Sequence, residues 1–548
     1  MEKQVAYVYF NFDENETEIM TPDGVIETIS GVRFLNYLPL DKPLVCFCSK
    51  VDVVVKCYPG GKRLNENDWQ HFNKGKDCME YKYGNTTFRS VVPFIAGKKV
   101  ETLREIEPNT PETPITVCIA NYLRQIKEDV STLRFSLALN VTKQFFADIR
   151  DELWTETKLN SHYFFDFQSY KDARTGCKAG VLCADKRKRY GNLLMYDKKS
   201  AYAGALVHDT KMPVGKMRRI NTENKDHAAR YIQNAIDERK EIKVVFDSPE
   251  RPILPNQFYL WYDFRDEAYA FNTDDIVSVI RLGYYHQFIK FFYELPVRMY
   301  YWRDDVKATR TAKVVREKLF DAFEQKEALP KQSFERFIRK TELSMINGKA
   351  IQFKGNIQTF DDVKREFCGR GEHYITPEMA YHVIARVRYE LIKAVCATDA
   401  VYFDTDGVKV PNNEKNIAYF ENENEIIRQK NIDAGRDSDI GTWAFEGETT
   451  DFVLLSPKNY AYKTIDGEVV LKLGAMDYKT RDYLLNKVGN DKFLDILWEN
   501  GFPYFKPFYT IKDGNIISGY EKTPIMVGGP NNELRGDLFD AENEEDGD

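Results

Sequence analysis

The first residues, Met1-Glu2-Lys3-Gln4-Val5, lack the basic stretch and apolar run of a secretory signal, and no uninterrupted apolar run reaches bilayer-spanning length. A cytoplasmic chain without membrane contact is expected. The nine cysteines, Cys46, Cys48, Cys57, Cys78, Cys118, Cys177, Cys183, Cys368 and Cys396, lack the paired C-x-x-C spacing of a zinc site, which leaves reduced thiols. Internal repeats are also missing. So is a positive net charge: the formal value is −7. Six acids in the last nine residues, Asp540, Glu542, Glu544, Glu545, Asp546 and Asp548, account for most of it, and setting them aside moves −7 to −1. A near-neutral body still binds nucleic acid if its cations gather on one face while its acids gather around metal.

What remains is a globular chain. Hydrophobic residues make up 43% and charged residues 30% of 548, enough apolar material for real cores and too long for one of them. Short β-rich runs such as Val5-Ala-Tyr-Val-Tyr-Phe10 and Leu44-Val-Cys-Phe47 alternate with turn signals such as Pro22-Asp-Gly24, so residues 1–130 read as an α/β domain. Ile126, Val130, Leu133 and Leu137 recur at three- and four-residue spacing, which predicts one helix over roughly 118–155. A basic loop, Lys186-Arg-Lys-Arg189, precedes the apolar strand Leu193-Leu-Met-Tyr196. An aromatic-rich insertion spans about 255–303, helices run to about 348, and a further helix runs from Pro377 to about Ala397. The acidic tail beyond Pro530 has the composition of a disordered segment.

Val401-Tyr402-Phe403-Asp404-Thr405-Asp406-Gly407-Val408-Lys409-Val410 is β-prone on both sides of a polar centre, and its Asp-Gly pair predicts a hairpin turn. Residues two apart on a strand face the same way, so Asp404 and Asp406 project together, and neighbouring carboxylates repel unless a cation lies between them. A polar turn without function is the other reading of this triplet. A third carboxylate, Asp197, follows the strand Leu193–Tyr196, where a side chain overlooks a cleft or simply ends a strand. Three hard oxygen ligands suit the two-metal chemistry of phosphoryl transfer.

In Gln332–Gly348, helical periodicity stacks Phe334, Phe337, Ile338, Thr341 and Met345 as a core stripe and sets Arg336, Lys340, Ser344 and Asn347 along another face. That second line is either a triphosphate grip or a solvated basic face.

In order stand Tyr196-Asp-Lys-Lys-Ser-Ala-Tyr202, Lys340-Thr-Glu-Leu-Ser-Met-Ile-Asn-Gly348, Tyr402-Phe-Asp-Thr-Asp-Gly407 and Lys458-Asn-Tyr460. This series resembles the D-x-x-S-x-Y-P, K-x-x-x-N-S-x-Y-G, Y-x-D-T-D-S and K-x-Y motifs of family B DNA polymerases, in the compact spacing of their protein-primed bacteriophage branch. The resemblance implies a multidomain α/β (α+β) right-hand polymerase with palm, fingers and thumb, and a degenerate ribonuclease-H-like N-terminal domain of exonuclease type. It implies an exonuclease-like domain over 1–155, a template-contacting linker over 156–190, palm over 191–240 and 376–475, and a terminal-protein-type insertion over 241–325. Fingers over 326–350, a short second insertion over 351–375, a thumb over 476–530 and the tail over 531–548 complete it.

The same resemblance makes Asp197, Asp404 and Asp406 the catalytic ligands of two Mg2+ ions, for which Mn2+ substitutes. Lys340 then binds the incoming triphosphate with Arg336, Ser344 and Asn347 beside it, and Tyr202 lies beneath the deoxyribose. Lys458 and Tyr460 hold the primer end, and Gly180, in a weakened linker motif Cys177-Lys-Ala-Gly180, and Arg386 contact DNA. The implied partners are template and primer DNA, dNTPs and a terminal priming protein; the setting is the host cytoplasm. Ala203, Ser344, Asn347 and Gly407 depart from the motif proline, asparagine, tyrosine and serine.

In the first domain the family's D-x-E strand is expected to be absent. Val5–Phe12 then matches the second strand of that domain, and Asp52 and Asp129 are vestiges of its exonuclease motifs, with Gln125 where a tyrosine belongs. Asp13 and Glu14 would point to opposite strand faces. Proofreading is therefore expected to be lost. The rivals are a polymerase-like factor that binds DNA or a priming protein without catalysis, a reverse-transcriptase-like palm enzyme and a nuclease.

Overall fold

The computed structural model describes residues 3–54, 70–75, 78–83, 85–95, 99–133, 137–145, 164–176, 182–183, 187–208, 213, 217–247, 258–259, 262–263, 268–302, 310–350, 357–368, 377–456, 458–473, 493–500, 502–504, 507–512, 514–520 and 525–527. The chain forms two compact units. The first comprises Met1–Ala147, Gln325–Glu342 and Phe505–Thr523; the second comprises Asp148–Glu324, Leu343–Tyr504 and Pro524–Asp548. Among the described residues, no helix is long and apolar enough to cross a membrane.

The first unit is built on β1 (Gln4–Asn11), β2 (Glu16–Met20), β3 (Ile26–Ser30), β4 (Leu44–Cys48), β5 (Gln70–Gly75), β6 (Cys78–Tyr83) and β7 (Thr86–Ser90), ordered β3-β2-β1-β4-β7-β6-β5. β1 and β4 are parallel, as are β4 and β7; the other pairs are antiparallel. Both faces of β1 are covered, which explains its near-continuous apolar run. Ala6, Val8 and Phe10 enter one core with Phe34 and Phe88, while Tyr7 enters the other with Ile119, Tyr122 and Leu123 of the helix Ile115–Ile126.

β1 lies between β2 and β4, antiparallel to the first and parallel to the second, so it is a central strand of its sheet. One expectation fails here: the single helix over 118–155 is broken. The helix Ile115–Ile126 stops where Lys127 turns extended, and the Asp129 side chain accepts from the Ser131 backbone N–H to start a separate turn at Val130–Thr132. A side chain that satisfies a nearby backbone donor competes with helix continuation. A further helix, Leu137–Phe145, follows.

A C-terminal hairpin, Pro507–Lys512 with Asn515–Tyr520, completes this unit. The Val32 N–H donates to the Gly514 carbonyl at 2.9 Å, the Ile516 N–H donates to the Asn15 side-chain oxygen at 2.6 Å, and Ile511 and Ile516 join the core around Phe34.

The second unit holds β8 (Leu182–Cys183), β9 (Lys188–Tyr190), β10 (Leu193–Lys198), β11 (Met217–Ile220), β12 (Ile242–Asp247), β13 (Phe258–Tyr259), β14 (Tyr262–Asp263), β15 (Ala268–Asn272) and β16 (Val297–Trp302). Then come β17 (Tyr402–Asp404), β18 (Gly407–Pro411), β19 (Trp443–Ser456), β20 (Asn459–Thr464) and β21 (Val469–Leu473). One sheet runs β13-β8-β17-β18-β10-β19-β20-β21, with β9 paired to β19; another runs β11-β16-β12-β15-β14. Both are antiparallel throughout.

The helix Pro377–Thr398 begins where the sequence placed it, with its proline at the first turn, a position that needs no N–H. It packs on the helices Thr273–Arg281 and Ala201–His208 and on β18. Its buried charges are paired: Arg388 grips Asp275 through two hydrogen bonds, and Glu378 lies beside Lys243. The two arginines of the basic loop are engaged internally, since Arg187 stacks on Trp498 and Arg189 pairs with Asp451 and Asp495.

Candidate active site

The three aspartates meet on the longer sheet of the second unit. Asp197 lies within β10, which runs on to Lys198, so the strand does not stop at Tyr196. Across one side of β18, Asp197 is paired with Gly407; across the other, Asp404 is paired with the same Gly407. Directly paired residues share a face of a sheet, so one glycine separates two carboxylates from strands more than 200 positions apart in sequence. Asp406 lies in the two-residue turn that joins β17 to β18, and its carbonyl accepts from the Lys198 N–H at 3.0 Å. The turn centre is Thr405-Asp406, one residue before the Asp-Gly pair, and Thr405 takes the left-handed conformation with φ 60°. Asp404 and Asp406 thus draw together through a turn and not by strand alternation.

Gly407 has a steric role. A Cβ there would lie 2.8 Å from the Asp197 Oδ1, so the serine expected from the family motif would crowd that carboxylate. Burial, then Glu446 and Asp404, holds the Asp197 carboxyl above the usual range, with Lys409 opposing. Burial and the neighbouring Asp197 and Asp404 push Asp406 up to about 7. Like charges that raise one another's pKa in a half-buried setting are relieved by a cation. All-oxygen carboxylate donors suit a hard divalent ion such as Mg2+. Among the described residues, no group of three or more His, Cys, Asp or Glu side chains is arranged to hold a metal ion.

Lys458 and Tyr460 adjoin the same cluster. The Lys458 Nζ lies 3.4 Å from the Asp404 Oδ1, and the Lys458 N–H donates to the Tyr402 hydroxyl. Tyr460 stacks into an aromatic group with Tyr402, Phe452 and Tyr462. Lys198, next to Asp197, is turned away into a buried ion pair with Glu390. Tyr202 lies half-buried in the first turns of the helix Ala201–His208.

The helix Phe334–Ala350 forms as its periodicity predicts, and Phe334 and Phe337 pack on Tyr122. Its cationic line is less free than the sequence suggests. Arg336 donates to the carbonyls of Lys326 and Leu329, closing the C-terminal end of the helix Arg310–Ala328, where orphan carbonyls attract cations. Lys340 and Ser344 are exposed, and the Asn347 side chain lies outside the described residues. Arg336 and Lys340 belong to the first unit and the three aspartates to the second. Arg386 is paired with the buried Asp274 at 3.0 Å and lies over Tyr389. Gly180 falls outside the described residues, as does the Asp52 side chain.

In the first unit, β1 carries no carboxylate on either face. Tyr9, on the face toward the helix Ile115–Ile126, donates to Glu101 at 2.7 Å. Asp13 and Glu14 lie in the turn Phe12–Asn15 and not on a strand, and the Asn11 side chain engages both. Asp129 is exposed and spent on Ser131.

Sequence reasoning passed over Lys409, a half-buried cation among acids, although its place two residues past Gly407 puts it on the same strand face.

No protein-family model matches the chain, and no curated protein matches its sequence. Solved structures do match. Phi29 DNA polymerase complexed with primer-template DNA, a post-translocation binary complex, superposes with a TM-score of 0.59 at 13% identity, covering 96% of this chain and 100% of that one. Its ternary complex with primer-template DNA and incoming nucleotide substrates gives 0.58 over 96% and 100%. Its complex with single-stranded DNA gives 0.58 over 96% and 99%, both again at 13% identity. The chain therefore has the multidomain α/β fold of phi29 DNA polymerase along nearly its whole length, as its motif order led us to expect.

Proposed function

We propose that this protein is a template-directed DNA polymerase that adds dNTPs to a primer 3′-hydroxyl. The pairing of Asp197 and Asp404 to opposite sides of Gly407, with Asp406 in the adjoining turn, carries the reading. The shared fold supports it, because the similar phi29 enzyme is described with primer-template DNA and incoming nucleotides.

In this reading Asp197, Asp404 and Asp406 would hold two Mg2+ ions, which would supply the positive charge that acidifies an attacking hydroxyl and offsets the charge of a departing pyrophosphate. The chain's own groups do the rest. Lys340, with Ser344 and Asn347 on the same helix, orients the triphosphate, while Arg336 stays on the carbonyls of Lys326 and Leu329, and Tyr202 excludes a ribose 2′-hydroxyl. Lys458 and Tyr460 hold the primer terminus beside Asp404, and Arg386 and Gly180 bear on DNA. The second unit then supplies the palm, the thumb over 476–530 is divided between the two units, and the first unit supplies an exonuclease-like domain without proofreading, because its central strand offers no metal ligand. A terminal protein that primes synthesis is part of the same proposal.

Primer extension with dNTPs and Mg2+ tests it, with Asp404→Asn as control. Extension by the wild type alone is the expected result, together with no loss of 3′-labelled DNA when nucleotides are omitted. Binding of primer-template without any incorporation would replace this reading with that of a polymerase-like DNA-binding factor.

A further inference from the structure

Lys409 has no part in the motif roles, yet its position is unusual. It is paired with Met195 on one side and Tyr402 on the other, two residues past Gly407, and so shares the sheet face of Asp197 and Asp404. Its ammonium stands over three rings, 4.7 Å from the centroid of Tyr460, 5.2 Å from Tyr402 and 5.9 Å from Phe452. The charged groups that act on it are Asp197 on β10, Asp404 on β17, Glu446 on β19 and Lys472 on β21. Burial lowers the Lys409 pKa to about 8 while the acids resist that fall. A half-buried ammonium is retained where opposite charge or an aromatic face compensates its lost hydration, and both are present here.

We propose that Lys409 is a positioning residue that serves as a fixed internal cation for the acidic cluster and sets how tightly Asp197, Asp404 and Asp406 hold divalent ions. The proposal rests on the polymerase reading of those three carboxylates. A fixed positive charge lessens the repulsion among the carboxylates before ions arrive, and it also repels the ions. A divalent ion feels that charge with twice the energy that a proton does, so removing it favours metal over protons. Lys409 thereby keeps the ions exchangeable, and its contact with Tyr460 ties the acidic cluster to the aromatic group beside Lys458.

The test uses the full chain with Mn2+ as probe, free ion being followed by its electron paramagnetic resonance signal at neutral pH. Wild type and Lys409→Arg should bind Mn2+ alike, Lys409→Met and Lys409→Gln about tenfold more tightly, and Asp404→Asn far more weakly. Equal affinity in all the Lys409 variants, or weaker binding in the neutral ones, overturns the proposal. If both neutral variants fail to fold while Lys409→Arg folds, Lys409 serves stability alone and the proposal also falls. Without Asp404-dependent Mn2+ binding in the wild type, the carboxylate reading fails and takes this inference with it. Asp404-dependent binding without dNTP incorporation defeats the polymerase reading instead, and the Lys409 series still decides its own question.

Discussion

Gly407 and Asp197 face each other across paired strands so closely that any side chain at 407 would press on the carboxylate: the nearest approach of an added Cβ to the Asp197 Oδ1 is 2.8 Å. Gly407→Ala should therefore displace Asp197 while leaving the hairpin intact. We expect primer extension to slow by about 100-fold, because small displacements of reacting groups cost that much, with a melting temperature close to wild type. Gly407→Ser, although it restores the family motif, should behave no better. Single-turnover incorporation and thermal unfolding measured side by side check both variants. Full activity in Gly407→Ala would mean that Asp197 moves freely aside and that the crowding has no consequence.

The raised carboxyl of Asp406 predicts a pH dependence of stability in the absence of divalent ions. Its folded-state pKa of about 7 lies above the ordinary value of 3.8, so the unfolded chain releases this proton first as pH rises. The contribution of this group to stability should fall between about pH 4 and pH 7 and level off above that. The loss is on the order of a few kcal/mol at most, since one pKa unit is ~1.4 kcal/mol and the group is partly hydrated. Denaturation in a chelating buffer across this range should show the decline. Asp406→Asn should make it shallower, and Mg2+ should restore the wild type at neutral pH. A wild-type profile that rises toward neutral pH would contradict the environment described for Asp406.

Arg388 and Asp275 form a fully buried pair at 2.8 and 2.7 Å, with the Tyr381 hydroxyl donating to the same carboxylate at 2.7 Å. Asp275 also belongs to the capping box that starts the helix Thr273–Arg281. Removing one partner strands a charge, which costs about 3–5 kcal/mol. Arg388→Met and Asp275→Asn should each destabilise to that extent in denaturant titrations, whereas the exposed Lys415–Asp399 pair should contribute about 0–1 kcal/mol.

Gly31 takes φ 71°, and a Cβ there would overlap the Gly514 carbonyl oxygen, the acceptor for Val32. Gly31→Ala should cost about 2–4 kcal/mol through backbone strain and loss of that seat. Limited proteolysis followed by mass spectrometry should then release fragments cut near the hairpin Pro507–Lys512 and Asn515–Tyr520 faster than in the wild type. Unchanged cleavage would show that the isoleucines at 511 and 516 hold the hairpin unaided.

The alternating apolar pattern on each side of Asp404 and Asp406 was enough to predict their hairpin, and the apolar run ahead of Asp197 predicted its strand. The start of the helix at Pro377 was equally legible, because proline and periodicity act over a few residues. Failures arose where a local pattern met a competing contact. Asp129 satisfied Ser131 and broke a helix that its apolar spacing favoured. The apolar run of β1 does not reveal its neighbours, because the parallel pairing with β4 depends on a crossover. Arg336 reads as a free cation in the sequence, yet the end of another helix claims it.

By itself the sequence determined the chemical types and their local geometry: three acids on or beside strands, a lysine helix, a glycine after the last aspartate. The tertiary structure alone decided that Asp197 and Asp404 share one glycine, that Lys409 lies on their sheet face over three rings, and that Asn15 meets a hairpin 500 residues away. The reason is physical. Periodicity and turn chemistry act over a handful of residues, whereas strand pairing is selected by which buried faces fit together, and that choice is made only in the packed chain.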